Sequence, residues 1–308
     1  MIAGAFGRSA LTICLVVAML PLGAAARPPR SVPWAFSAAH RSSLLYVGTG
    51  DNVYMLSYPA GVIIGALNVP GYDICSDPEG NVFVPRTAID EVSEYAHGFP
   101  SPRATLHVDD QPLGCAVDPV TRNLAVTLEG SGASGVAVFP NAKEPAQYYD
   151  DTAVYQYGLC GYDGAGNLFV DGTGTGNVLA ELPKGASTFE NFALNGDFDP
   201  FGSVEWDGRF MTLTNPSTKK IYRIQLLKSR VKIAGTTALR GWHDAYSGHW
   251  PYVQTWLRDD TFFAQGTSNG AIGLWRYPVG GSPRQSIGGF DRATTIYGVT
   301  FSAAPIER

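Results

Sequence analysis

Short, mostly apolar stretches recur along most of this chain. Each stretch ends in Gly, Asn, Asp or Pro, as in Val82-Phe83-Val84-Pro85 or Val136-Ala137-Val138-Phe139-Pro140. Short apolar runs bounded by turn residues predict strands separated by tight turns. Beyond the first 26 residues no helix-length stretch carries a 3.6-residue period. Strand-turn-strand units recur. Tyr72-Asp73-Ile74-Cys75-Ser76-Asp77-Pro78-Glu79-Gly80-Asn81-Val82-Phe83-Val84 is matched by Gly114 to Val126, Leu159 to Val170, Ser203 to Met211 and, more weakly, Thr255 to Phe263. The aspartates Asp77, Asp118, Asp163, Asp207 and Asp259 lie 41, 45, 44 and 52 residues apart, a period that belongs to propeller blades or solenoids.

Within each unit the aspartate can accept hydrogen bonds from turn N–H groups, while Gly or Asn supplies a positive φ. We therefore read these aspartates as turn caps and not as catalytic acids. A third strand follows each hairpin, as in Val53-Tyr54-Met55-Leu56-Ser57 and Ile272-Gly273-Leu274-Trp275-Arg276. A fourth comes next, as in Ala104-Thr105-Leu106-His107-Val108. Four short strands per ~44 residues make one propeller blade. Innermost strands begin near Tyr72, Leu113, Gly158, Gly202, Val253 and Ile296. The expectation is an all-β, six-bladed β-propeller over residues 41–308, with four-stranded blades. The strand at Ile296–Ser302 lacks a successor, and the strands at Leu44–Val47 and Val53–Leu56 lack an inner strand. N- and C-terminal strands should thus complete one blade and close the ring.

The first 26 residues change the picture of where the protein works. Arg8 precedes the apolar run Leu11 to Leu20, and Pro21, Gly23 and Ala24-Ala25-Ala26 follow, the order of a cleavable secretory signal peptide. The run is shorter than a membrane span needs. A signal peptide over residues 1–26, a flexible lead-in over 27–40 and a secreted, periplasmic or extracellular, product are expected, with no membrane span. Three cysteines then remain: Cys75, Cys115 and Cys160. Cys115 and Cys160 lie three residues before their turn aspartates and share a facing, whereas Cys75 lies two before and faces the other way. Buried core residues are the first reading, with a Cys115–Cys160 bridge as the alternative. The net charge of −5 offers nothing to nucleic acid.

The Asp-x-x-Gly-Asn-[Val/Leu]-Phe-Val hairpins at Asp77 and Asp163 resemble the repeat of NHL and SMP-30/gluconolactonase-like six-bladed propellers. The resemblance covers the chain beyond residue 26 as a repeat pattern. It implies, as one possibility, a lactonase with a divalent cation held by acidic and amide side chains at inner-strand starts. The position that carries an acid in that family is occupied here by Tyr72, Leu113, Gly158, Gly202, Gln254 and Tyr297. Asp73, one residue on, and Glu205, in the fourth hairpin, are isolated acids. Copper-dependent lyases on NHL propellers need several histidines. Here His97 and His107 fall near outer strands, where surface positions are expected. No Gly-x-Ser-x-Gly elbow occurs, and Gly172-Thr173-Gly174-Thr175-Gly176 lacks a phosphate-binding Lys.

The 52-residue interval contains Gly241-Trp242-His243-Asp244-Ala245-Tyr246-Ser247-Gly248-His249-Trp250-Pro251-Tyr252. It joins one blade's last strand to the next blade's first and should lie over the channel mouth. The first reading is an aromatic loop folded on its own blade; the other is ligand contact, which rigid aromatics with polar tips suit. The ligand-binding candidates are Tyr72, Asp73, Tyr157, Phe201, Glu205, Trp242, His243, Asp244, His249, Tyr252 and Tyr297. The expected function is recognition of a small molecule, glycan or protein at the channel mouth by a monomer, without cofactor. The alternative is the metal-dependent lactonase.

Overall fold

The structure is a computed structural model that describes residues 41–130, 135–194, 198, 202–228, 230–242, 254–258, 260–266, 271–290 and 295–304. The expected signal peptide and lead-in lie outside these residues. The described chain is built from antiparallel strands, and two short 3₁₀ turns at Thr87–Ile89 and Pro140–Ala142 are its helical elements.

The strands form meanders in chain order. The Cys75 sheet runs Cys75–Ser76, Val82–Arg86, Glu91–Tyr95, Pro102–His107, and the Cys115 sheet runs Pro112–Val117, Leu124–Leu128, Gly135–Phe139, Gln147–Tyr149. The next two meanders share one eight-stranded sheet. Its Cys160 half begins at Gln156–Tyr162 and its Glu205 half at Val204–Trp206, and the outermost strands touch through the parallel pair Ala193 and Arg230. The Trp256 sheet follows, from Trp256–Arg258 to Gln285–Ile287. In the closing sheet the last strand, Ile296–Ser302, pairs antiparallel with Leu44–Thr49, which leads on to Val53–Ser57 and Ile63–Leu67.

Local chemistry explains the hairpins. Asp77 Oδ1 accepts from Asn81 N–H at 2.8 Å, and Asp77 Oδ2 from the Asn81 side-chain amide at 2.6 Å. Asp163 repeats the pattern with Asn167. Asp207 accepts from the N–H groups of Arg209 and Phe210. Asp118 caps a turn one residue longer, through Val120 N–H and Thr121 Oγ1. The left-handed position falls on Gly80 at φ 87° and Gly166 at φ 88°, but on Arg122 at φ 65° in the longer turn.

The core lies between neighbouring sheets. The closing and Cys75 sheets bury Tyr46, Met55, Ile74 and Val84 against each other. The Cys75 and Cys115 sheets do the same with Phe83, Val92, Leu124 and Val126. The packing continues sheet by sheet until Ile272 and Leu274 of the Trp256 sheet meet Leu45 and Val47 of the closing sheet. Sheet-to-sheet packing therefore returns to its starting point.

Two readings of side-chain position need correction. The disulfide joins Cys75 and Cys115, with Cα atoms 5.7 Å apart, and Cys160 is a buried free thiol. Residues of one facing on successive sheets all look the same way round. Cys115 packs back onto Phe83 and Cys160 back onto Ala125 and Val136, so these two never meet. Cys75, of opposite facing, looks forward and meets Cys115. His97, expected on the surface, is 4% exposed. Its Nδ1 lies 2.6 Å from Ser302 Oγ and its Nε2 3.0 Å from the Ser42 carbonyl, so it ties the Cys75 sheet to the closing strands. His107 does lie at the surface, beside Glu144 and Glu91.

Candidate functional site: a divided channel

Inner strands carry irregular pairing where they approach the centre. The register shifts between Pro112 and Cys115 and again between Tyr157 and Cys160, which turns backbone N–H groups away from the ladder. Side chains of the second strands capture them. Gly114 N–H donates to Thr127 Oγ1, Leu159 N–H to Asp171 Oδ1 and Ser203 N–H to Thr214 Oγ1. A Cβ on Gly298 would sit 2.5 Å from the Tyr72 carbonyl oxygen and 2.7 Å from Gln254 Oε1, so only Gly admits this approach.

Gln254 spans from the Trp256 sheet to the Cys75 sheet. Its Oε1 accepts from Ile74 N–H at 3.0 Å and its Nε2 donates to the Ile74 carbonyl at 2.6 Å. Gln254, Asp73 and Leu159 line two cavities in common, one of about 460 Å³ and one of about 300 Å³. These three side chains form a partition, with Leu113 packed on Leu159. The larger cavity reaches the hairpin-turn residues Asp77, Pro78 and Pro119, and its walls include Tyr162, Glu205, Trp206, Trp256 and Arg258. The smaller is lined by Tyr72, Tyr297, Thr87, Asp90 and Gln111.

Besides the turn cap Asp77, two carboxyl groups line the larger cavity. Asp73 is 3% exposed; its Oδ2 accepts from Cys115 N–H at 2.8 Å, and its Oδ1 has no hydrogen-bond partner among the described residues. Burial pushes its pKa up to about 7, against the opposing pull of the Cys115 N–H and of the nearby Ile74 N–H, whose own hydrogen bond goes to Gln254. Glu205 Oε1 accepts from Thr255 Oγ1 at 2.9 Å, and its Oε2 from Leu257 N–H. Burial pushes Glu205 up to about 8, and the Asp73 charge adds to the rise. Glu205 thereby clasps the Trp256 sheet, and Ser203 Oγ, accepting from Thr255 N–H at 2.6 Å, reinforces the clasp.

These shifts set a pH dependence. Both folded pKa values lie above the ordinary carboxylate range, so between about pH 4 and pH 8 the folded chain holds protons that the unfolded chain releases. The stabilisation is fully present below the unfolded values and is lost as pH rises through 7 to 8. Stability at pH 8 is expected to be about 3 kcal/mol below that at pH 5, after allowance for water in the cavity. Thermal melts across this range, compared with an Asp73→Asn/Glu205→Gln variant, check it. An equally steep fall in the variant would assign the slope to other groups.

The other sequence candidates divide. Tyr72 and Tyr297 meet edge to face at 5.1 Å on the smaller cavity. Tyr157 is 1% exposed, with its hydroxyl accepting from Asp151 N–H at 2.6 Å and its ring beside Phe189. It is packed among apolar side chains of the Cys115 sheet and Cys160 half, away from both cavity walls. Trp242 is also 1% exposed, in a cluster with Ile221, Leu239, Trp275 and Tyr277. Burial between neighbouring strands makes both core residues in place of channel-mouth contacts. Phe201, His243, Asp244, His249 and Tyr252 lie outside the described residues. Sequence reasoning passed over Gln254, Trp206, Trp256 and Arg258. Gln254 occupies the very inner-strand position searched for acids, and an amide there was the available signal. Among the described residues no three His, Cys, Asp or Glu side chains converge as a metal cage.

No protein-family model matches the chain, and no curated protein matches it. Solved structures do. The chain is similar to one in the crystal structure of a nidogen/laminin complex, at 12% identity over 86% of this chain and 100% of that one, with a TM-score of 0.67. It is similar to a protein of unknown function from Bacteroides caccae, at 10% identity over 85% and 99%, with a TM-score of 0.61. It is also similar to the Swd1 (Cps50) β-propeller domain of Myceliophteria thermophila, at 11% identity over 85% and 87%, with a TM-score of 0.55. Identities this low speak for architecture alone, and together with sheets that pack in a closed succession they make this chain a β-propeller.

Proposed function

We propose that this chain is an exported propeller of six four-stranded blades, of the NHL and SMP-30-like kind, that binds a small molecule in its central channel. The observation that carries the reading is the divided channel. Asp73, Leu159 and Gln254 stand between two cavities, and the larger, about 460 Å³, has the volume of a small-molecule pocket. Its walls combine aromatic faces with a few polar groups, the composition of recognition sites. Export is supported by the signal-like leader and by the Cys75–Cys115 disulfide, a bond that persists in oxidising compartments. Similarity to a chain from a nidogen/laminin complex fits a recognition role as well.

The test is a thermal-shift screen of small polar and aromatic compounds and short glycans against the purified chain, repeated on Ala116→Trp. Ala116 lines the larger cavity, and an indole there would take up a large part of it. Compounds that raise the melting temperature of the parent chain and not of the variant support the reading. Equal shifts in both would place binding elsewhere. The joint presence of Asp73 and Glu205 in one cavity keeps a lactonase as the second reading. Chelator-sensitive lactone hydrolysis, abolished by Asp73→Asn, would install it in place of the binder.

A further inference from the structure

The larger cavity has a charge balance that selects among small molecules. Three acids lie on its wall, Asp73, Asp77 and Glu205, against one cation, Arg258. Most of these groups are already engaged. Both oxygens of Asp77 accept from Asn81, and both oxygens of Glu205 accept from the Trp256 sheet. The Arg258 guanidinium lies 4.0 Å over the Phe301 ring. Asp73 differs: its side chain is nine-tenths or more buried, and Oδ1 has no donor among the described residues. A buried carboxylate oxygen without a donor is unstable as an anion and is satisfied by a cation or a donor brought from outside.

We propose that this cavity takes an organic ammonium ion, its charged head at Asp73 and its carbon body against Trp206, Trp256 and Tyr162. The inference rests on the reading of the channel as a small-molecule site. A bare metal ion fits the walls less well, because hard cations want six or more oxygen ligands and the carboxylates here have one oxygen to spare. Aromatic faces attract ammonium groups and shelter alkyl or ring bodies, and a desolvated site strengthens both effects. The same wall holds a second unpaired group, Trp256 Nε1, a donor that an ether or hydroxyl oxygen on the ligand would satisfy. Amino alcohols are therefore the preferred members of the class.

Binding is coupled to protons. Near pH 7 Asp73 is partly protonated, and an ammonium head draws it to the carboxylate, so a fraction of a proton leaves for the buffer. The other titratable groups in its surroundings are Glu205, Asp77, Arg258, Tyr162, Cys160 and Asp171, with Tyr72, Asp90 and Tyr297 across the partition. Of these, Glu205 is the one whose ionisation would follow.

The experiment is titration calorimetry on the full exported chain at pH 7, in buffers of different ionisation enthalpy. The probes are phenylethanolamine, its neutral counterpart phenylethanediol, and the anion mandelate. We expect the amine to bind at least ~10-fold tighter than the diol, the discrimination of a charge-assisted contact, with proton release. Asp73→Asn keeps the acceptor for Cys115 N–H and should lose both the discrimination and the proton release at a nearly unchanged melting temperature. If that variant does not fold, Trp206→Ala at the aromatic wall should weaken the amine more than the diol. Equal binding of amine and diol, or tighter binding of mandelate, would overturn the cation inference while leaving a small-molecule channel standing. Binding of no probe would overturn it too, and the screen against Ala116→Trp would still decide the wider reading.

Discussion

A chain ended at Thr295 is expected to lose its cooperative thermal transition. The missing strand, Ile296–Ser302, is the inner strand of the closing sheet and pairs along its length with Leu44–Thr49. It buries Ile296, Val299 and Phe301, each 5% exposed or less, against Leu45, Val47, Ile272 and Leu274. At about 2 kcal/mol for each buried apolar side chain, the loss is about 6 kcal/mol, comparable with the whole stability of an ordinary domain. Polar ties go with it. Ser76 Oγ loses the Phe301 carbonyl at 2.7 Å, and His97 loses Ser302. The first strand, with all six residues buried, becomes an open edge prone to pair with other copies. Circular dichroism melts and size-exclusion chromatography check this. A truncated monomer that still melts cooperatively within about 5 °C of the parent would show that strand to be dispensable.

Removal of the Cys75–Cys115 bridge is expected to cost about 4 kcal/mol, because it releases a loop of 40 residues in the unfolded chain. In a domain of this size that corresponds to a melting temperature lower by about 10 °C. Cys75→Ser/Cys115→Ser should therefore remain folded at room temperature and melt early, and reductant should lower the parent chain to the same point. Alkylation of the processed protein in denaturant without reductant, read by mass spectrometry, should label one thiol, Cys160. Labelling of all three cysteines would show the bridge to be absent and remove one support for export. Burial raises the Cys160 thiol well above its usual range, so the native protein should resist labelling.

Much of this architecture can be read along the chain, because the interactions that make it are local. Asp77 and Asn81, or Asp163 and Asn167, sit four residues apart and close their turns without help from the rest of the fold. The period-two facing within a strand tells which residues share a side, and the repeat spacing tells that the units are alike. The same period carried the answer for the cysteines. Their facings were legible, but the partner of each facing depends on neighbouring sheets packing as successive layers round a centre.

The candidate site was less legible, and particular residues show why. Asp73 and Glu205 stand out as isolated acids in the repeat pattern, yet nothing local says that one keeps an oxygen unpaired while the other clasps the next sheet. Gln254 bonds Ile74 across 180 residues of sequence, and His97 meets Ser302 across 205. Trp242, which its long insertion offers either to a ligand or to the blade beneath, proves to be core. Turn chemistry and strand periodicity act within a few residues, so composition and spacing encode them directly. The partition of the channel, the disulfide pairing and the burial of His97 and Trp242 come from contacts made when distant strands are brought together, and their energies depend on the dry, close-packed surroundings that only the assembled sheets provide.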